Sequence, residues 1–155
     1  MKVRAFEDPN GELLADPSLE LVVSALENLD LAWESGAASI GWVELLDPGY
    51  RNLYEFPSLC LLQSAGVGVQ LSYRIGNAFL FPGTWLLAVA EDSQADTWVE
   101  HSLGGESVYF PRSSFLSVAL AVQVIGDYLA TEEPSPQVIW RQQRQIDEKR
   151  VGYFV

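Results

Sequence analysis

A regular alternation of apolar and polar side chains between residues 67 and 75 constrains this fold more than any other sequence feature. The apolar members are Val67, Val69, Leu71, Tyr73 and Ile75, and the residues between them are Gly68, Gln70, Ser72 and Arg74. Successive side chains of a β-strand point to opposite faces of its sheet. This period of two therefore predicts a strand with one buried face and one polar face.

Other segments carry shorter strand patterns that end at turn residues such as glycine, proline and asparagine. Residues 84–90 are apolar almost throughout, which predicts a central strand buried on both faces. Residues 97–101 and 106–110 flank Gly104 and Gly105 and are predicted to pair as a hairpin. The remaining predicted strands are 3–6, 40–46, 59–63, 78–81, 137–140 and 151–155, with 142–150 as a loop or a short exposed helix.

Two segments show the spacing of amphipathic helices. The first covers about residues 16–32, with Asp16 as N-cap, Pro17 in the first turn and apolar residues at helical spacing from Leu19 to Leu29. The second covers about 113–130, with Ser113 or Ser114 as N-cap. Helices near both ends of a series of strands, without βαβ alternation, predict an α+β fold with a mainly antiparallel sheet. The 155 residues suit a single domain, 1–155.

The charge balance excludes several classes of partner. The chain has 21 acidic and 9 basic residues, for a formal net charge of −12. Nucleic-acid-binding proteins and proteins that dock on anionic membranes need clustered lysine and arginine, so we expect neither activity. No apolar segment approaches the roughly 18 residues of a membrane span, and the charged first residues do not resemble a secretory signal. We expect a soluble cytoplasmic protein, either a monomer or a weak homodimer.

The chain offers little catalytic or metal-binding chemistry. Cys60 and His101 are its only cysteine and histidine, so an internal disulfide and a multi-cysteine metal site are excluded. Cys60 lies in an apolar segment and reads as a buried hydrophobic residue. No nucleophile elbow or phosphate-binding loop is present. We therefore predict a protein that is not an enzyme, with no catalytic residues, no cofactor and no metal.

The acidic excess is unevenly distributed along the chain. All of it lies before residue 111, because residues 111–155 contain five acids and five bases. If the acids near residue 95 share a surface with a tryptophan, they form an acidic patch with an aromatic anchor for a basic protein partner. The candidate partner-binding residues are Glu91, Asp92, Asp96, Trp98 and Glu100. The alternative is that Trp98 belongs to the core and the acids only keep the protein soluble.

The order of motifs in residues 103–140 resembles a known family. A glycine turn at 103–106 leads to a strand, Pro111 opens a helix that ends at Tyr128–Thr131, and a link with Pro134 and Pro136 leads to a strand ending in Trp140. This order resembles the C-terminal part of bacterial immunity proteins of polymorphic toxin systems. The class in question is the first one catalogued, and it includes the inhibitor of an interbacterial double-stranded-DNA deaminase toxin. Glu132 and Glu133 depart from the pattern, since members often have glycine or a basic residue in this link.

The resemblance implies a toxin-neutralising immunity protein that binds a cognate toxin and occludes its active site. The resemblance also implies a toxin that acts on nucleic acid and is basic around its substrate cleft, which suits an acidic inhibitor. Two alternatives remain open. One is an interaction or scaffold subunit of a larger complex, and the other is a small-molecule-binding protein or an enzyme that uses Cys60, His101 or the carboxylates.

Overall fold

The structure is a computed structural model that describes residues 2–28, 32–45, 51–75, 85–90, 97–145 and 149–153. The helices are α1 (Leu19–Glu27), α2 (Ala32–Ser35) and α3 (Val118–Thr131). The strands are β1 (Lys2–Glu7), β2 (Leu13–Ala15), β3 (Ala38–Leu45), β4 (Arg51–Ser64), β5 (Gly68–Arg74), β6 (Trp85–Val89), β7 (Trp98–Leu103), β8 (Glu106–Pro111), β9 (Phe115–Leu116), β10 (Ile139–Gln145) and β11 (Val151–Tyr153).

Within the described residues, the strands form one large sheet and one hairpin. The large sheet has the order β11-β10-β6-β5-β4-β3-β1-β2. The short strand β9 belongs to the same sheet and pairs with β5 in addition to the neighbours of β5 in this order. Each of these pairings is antiparallel, and β7 and β8 pair separately as the hairpin. The predicted α+β class with a mainly antiparallel sheet is confirmed, and the sheet is the dominant element of the fold.

Helices α1 and α3 cover one face of the large sheet. Val22 and Leu26 of α1 and the face of α3 around Ile125 are buried, because apolar residues three and four positions apart share one side of a helix. The sheet contributes the other half of this first core. Its fully buried members include Phe6, Ile40, Leu59, Leu61, Leu71 and Leu116. Burial of each such side chain stabilises the fold by about 1.5–3 kcal/mol.

The β7–β8 hairpin covers part of the opposite sheet face and forms a second, smaller core. This core contains Val99 and Phe110 from the hairpin together with Leu62 and Phe115 from the large sheet. The rings of Phe110 and Phe115 meet edge to face with centroids 6.4 Å apart. The fold therefore has three layers in the order helices, large sheet and hairpin.

This third layer also buries the polar face of β5. Val69, Leu71 and Tyr73 of the predicted apolar face are buried, whereas Ile75, beyond the end of the strand, is 56% exposed. Gln70 and Ser72 on the polar face are only 2% and 5% exposed. The Gln70 side chain amide donates to Ser114 Oγ at 3.0 Å, and Ser114 Oγ donates to the Pro111 carbonyl at 2.6 Å. The polar face of β5 is therefore buried as well, because the hairpin covers it.

The helices begin later than predicted. The N-cap of α1 is Ser18, whose Oγ accepts from the backbone N–H of Leu21, whereas Asp16 has a positive φ of 51° and bonds through its own N–H to the Arg4 carbonyl. The N-cap of α3 is Ser117, because Ser114 belongs to a short 3₁₀ turn. The first helix also ends at Glu27, well before residue 32.

Most strand predictions agree with the structure. Residues 84–90 contain the central strand β6, in which Leu87, Ala88 and Val89 are all buried. The hairpin and the closing strand β11 are confirmed in position. Residues 142–145 were wrongly predicted as loop or helix, since β10 continues through them to Gln145. The predicted strand at 78–81 lies outside the described residues. No helix in the described part of the chain is long and apolar enough to cross a membrane.

Tyr128 and Glu132 fix the end of α3 to the sheet. Tyr128 is 1% exposed, and its hydroxyl proton is shared between the carbonyl oxygens of Pro57 at 3.1 Å and Ile40 at 3.3 Å. Glu132 caps α3 in the left-handed conformation, with φ at 61°. Its carboxylate accepts from Trp42 Nε1 at 2.9 Å, and its carbonyl accepts from the Tyr73 hydroxyl at 2.8 Å. These contacts compensate for a backbone conformation that usually favours glycine.

We expect Tyr128→Phe to lower the free energy of unfolding by about 1–3 kcal/mol, because the buried carbonyl acceptors lose their donor. Urea denaturation followed by circular dichroism measures this change. The control is Tyr109→Phe on the hairpin, which we expect to change stability by less than about 0.5 kcal/mol. Equal stability of the two variants would contradict the role assigned to the Tyr128 hydroxyl.

Candidate functional site

The outer face of the hairpin brings together two of the predicted partner-binding residues. Trp98 and Glu100 are two positions apart on β7, so both point away from the second core, in which Val99 is buried. Trp98 is 37% exposed, and the Ser107 hydroxyl donates to Glu100 Oε1 at 2.6 Å. Trp98 is therefore a surface residue rather than a core residue. Glu91, Asp92 and Asp96 lie outside the described residues.

Basic residues also border this face. Tyr109 lies opposite Glu100 in the hairpin, and its backbone N–H donates to the Lys149 carbonyl at 2.7 Å. Trp98, Tyr109, Lys149 and Arg150 line a shallow hollow of about 370 Å³. Among the described residues, the outer face therefore combines an aromatic anchor with charges of both signs.

A second hollow lies beside β7, on the side away from β8, and we call it the acidic pocket. It encloses about 250 Å³, and its lining includes Trp33, Glu34, Gln63, Ser64, Glu100 and His101. These residues come from α2, the end of β4 and β7. Among the described residues of the lining, Glu34 and Glu100 carry the only charges. Sequence reasoning singled out Glu100 and missed Glu34 and Gln63, because they lie far from Glu100 in the chain.

His101 has a structural environment in this pocket. The residue is 5% exposed, and its Nε2 atom lies 3.4 Å from the Gly36 carbonyl. Burial lowers the pKa of the imidazole, and the contact with the Gly36 carbonyl opposes this shift only in part. Within the described residues, no hydrogen bond joins the ring to a serine, a cysteine or a carboxylate. Cys60 lines a different cavity, so the structure does not bring these two residues together.

The cavity that Cys60 lines is between the polar face of β5 and the hairpin, and it encloses about 320 Å³. Its apolar wall includes Leu62, Leu103, Val108, Phe110 and Val151. Its polar lining includes Cys60, Gln70, Ser72, Arg74 and Gln143. Sequence periodicity assigned a polar face to β5, but it did not indicate that the hairpin would enclose a cavity against that face.

Arg74 organises the polar side of this cavity. Its guanidinium lies 3.9 Å from the centroid of the Trp85 ring, and its Nη2 atom lies 2.6 Å from Cys60 Sγ. Burial raises the pKa of the Cys60 thiol, and the Arg74 charge opposes this effect without reversing it. The thiol is therefore protonated at neutral pH, and it lacks the thiolate character that a nucleophilic cysteine needs.

The described residues contain no group of three or more histidine, cysteine, aspartate or glutamate side chains that could hold a metal ion. Comparisons with models of known protein families and with curated protein sequences give no match to this chain.

The His101 ring should titrate below 6.5, the ordinary value for histidine, because its pKa is lowered in the folded state. Protonation therefore favours the unfolded chain, so the contribution of the neutral ring to stability is complete above about pH 6.5 and falls as the pH drops below it. The ring C–H resonances in NMR spectra measure the midpoint directly, since the chain has no other histidine. A midpoint at or above 6.5 would show instead that Glu34 or Glu100 pairs with the imidazolium.

Proposed function

We propose that this chain is a toxin-neutralising immunity protein that binds a basic bacterial toxin and occludes its active site. The observation that carries the proposal is the outer face of the hairpin, where Trp98 is 37% exposed beside the carboxylate of Glu100. Exposed tryptophan is a frequent energetic centre of protein interfaces, and charged neighbours accelerate association with an oppositely charged partner. The resemblance of residues 103–140 to immunity proteins supports the same proposal.

The proposed mechanism is steric and electrostatic and needs no bond-making step. The hairpin presents Trp98 and Glu100 from a paired strand whose inner side chains, Val99 and Phe110, are packed in the second core. A surface fixed in this way loses little conformational entropy on binding, which favours high affinity. The net charge of −12 favours approach to a basic substrate cleft. The toxin's active site is then blocked by the volume of the hairpin.

A second candidate function is the binding of a small molecule. The cavity of about 320 Å³ between β5 and the hairpin has a mainly apolar wall and a few polar groups, which is typical of small-ligand sites. Native mass spectrometry of the protein purified from its own host distinguishes the two functions. A bound small molecule of constant mass favours this second candidate, whereas a protein complex of 1:1 stoichiometry favours the immunity protein.

The proposed function predicts that the neighbouring gene encodes the toxin, so co-expression with the product of that gene tests it. We expect the wild-type chain to protect cells and Trp98→Ala to bind the toxin about 30-fold more weakly, since loss of an interface tryptophan commonly costs about 2 kcal/mol. The control is Leu19→Ala on α1, a residue 36% exposed on the opposite side of the large sheet. Absence of protection by the wild-type chain would refute the proposal, and equal binding by both variants would remove Trp98 from the interface.

Charge reversal tests the acidic part of the proposed interface. We expect the triple substitution of Asp92, Asp96 and Glu100 by lysine to slow toxin association by about tenfold at low salt, with a smaller effect at high salt. Stopped-flow fluorescence measures the association rate. The control replaces the exposed Glu12, Glu20 and Glu27 by lysine and changes the net charge equally. If both triple variants slow association to the same extent, total charge rather than this patch steers the toxin.

A further inference from the structure

The cavity between β5 and the hairpin has its polar groups on one side and an apolar wall on the other. The large sheet contributes the polar groups, where Gln70, Ser72 and Arg74 share one face of β5 and Cys60 pairs with Ser72 from β4. The hairpin and β11 contribute the apolar wall, whose members are Leu103, Val108, Phe110 and Val151. A ligand that fills this space must therefore be amphipathic, with its polar group toward the sheet.

The charge of the lining specifies the sign of that polar group. Arg74 is the only charged residue among the described residues of the lining, which include no aspartate and no glutamate. Cys60 adds no negative charge at neutral pH, because burial raises the pKa of its thiol. The charge nearest to a ligand in this cavity is therefore positive, which favours an anionic group and disfavours a cationic one.

The contacts of Arg74 orient its guanidinium beside the cavity. Its Cζ atom lies 3.9 Å from the centroid of the Trp85 ring, and its Nη2 atom lies 2.6 Å from Cys60 Sγ. A thiol sulfur is a weak hydrogen-bond acceptor, whereas a carboxylate can accept two parallel N–H bonds from a guanidinium. Because a guanidinium carries five N–H donors, these contacts do not exclude a carboxylate as an additional partner.

We propose that this cavity binds an aliphatic monocarboxylate, with the carboxylate on Arg74 and the chain against the hairpin and β11. The inference rests on the second candidate function, small-molecule binding, and gives that ligand a chemical class. Gln70 and Arg74 lie about 13 Å apart along β5, which is the length of an extended chain of about ten carbons. A volume of about 320 Å³ also has room for about ten groups of the size of a water molecule or a methylene.

Three probes with ten carbons test the charge requirement in the wild-type protein, namely decanoate, decanol and decylamine. At pH 7.5 and below the concentrations at which the probes form micelles, we expect decanoate to bind saturably and decanol about tenfold more weakly. Decylamine should show no saturable binding. The net charge of −12 attracts cations to the surface in general, so a preference for the carboxylate reports the local charge of Arg74. Isothermal titration calorimetry measures the affinities.

Methyl resonances in NMR spectra locate the bound probe. Val108 and Val151 line the cavity, whereas Val22 and Leu71 are buried in the first core on the other side of the large sheet. We expect decanoate to shift the resonances of the first pair and to leave those of the second pair unchanged. Octanoate should bind about 15-fold more weakly than decanoate, since each buried methylene changes the affinity about fourfold.

Substitution of Arg74 tests the guanidinium. We expect Arg74→Gln to weaken binding of decanoate about tenfold and to change binding of decanol less than about twofold, which also shows that the cavity persists. Arg112→Gln is the matched control, because Arg112 is exposed and lies outside the described lining, and it should change both affinities less than about twofold. If Arg74→Gln loses both probes, the wild-type comparison of decanoate with decanol and decylamine decides.

Three results would overturn the inference. They are absence of saturable decanoate binding to the wild-type chain, equal affinities of decanoate and decanol, and shifts confined to the methyl groups of the first core. Equal effects of the two arginine substitutions on decanoate would likewise remove Arg74 from the site.

The outcomes separate this inference from both candidate functions. If the chain neutralises the product of the neighbouring gene but decanoate does not bind, the carboxylate site is refuted and the immunity function stands. If decanoate binds as expected but no toxin is neutralised, the immunity function is refuted and the carboxylate site stands. If native mass spectrometry shows a bound small molecule while decanoate does not bind, the second candidate function stands and the carboxylate chemistry is refuted.

Discussion

Burial of both faces of the central strands is the constraint on which the rest of this structure depends. Strand β5 sends Leu71 into the first core beneath the helices, and it sends Gln70 and Ser72 toward the hairpin. An antiparallel sheet can leave one face in water, but in a sheet covered on both faces each unpaired polar group costs free energy. The Gln70–Ser114–Pro111 hydrogen bonds avoid this cost at one end of β5. The hairpin layer therefore forms one wall of the acidic pocket and one wall of the cavity against β5.

The features that sequence reasoning predicted are those set by local periodicity. Alternation identified β5, continuous apolar character identified the buried strand β6, and the glycine pair identified the hairpin. Helix starts were less predictable, because several serines and one aspartate were available as N-caps. Asp16 is not the N-cap, because it lies outside the helix, where its own N–H donates a hydrogen bond to the Arg4 carbonyl. The extension of β10 to Gln145 was missed because pairing with β11 stabilises a polar segment that has no strand pattern of its own.

The candidate site likewise has one part that the sequence could predict and one part that it could not. The period of two on β7 places Trp98 and Glu100 on one face, and this relation was accessible from the sequence. The acidic pocket was not accessible, because Glu34, Gln63 and Glu100 come from segments about 30 to 65 residues apart. Their convergence requires the first core to hold α2 through Trp33 and the second core to hold β7 through Val99. No local pattern encodes a contact between two packed layers.

This dependence on two cores links the proposed binding surface to stability in a specific way. The first core is the larger, and it joins α1 and α3 to the large sheet. The second core contains four buried residues among those described. Loosening the hairpin would therefore displace Glu100 from Glu34 and Gln63 while leaving the helical layer and the sheet paired. The alternation along β7 also separates the residue that stabilises the hairpin from the residue proposed to bind the partner, since Val99 is buried in the second core and Trp98 faces outward. Substitutions on the outer face should thus alter binding without altering the fold, whereas substitutions in the second core should alter binding through the position of the hairpin.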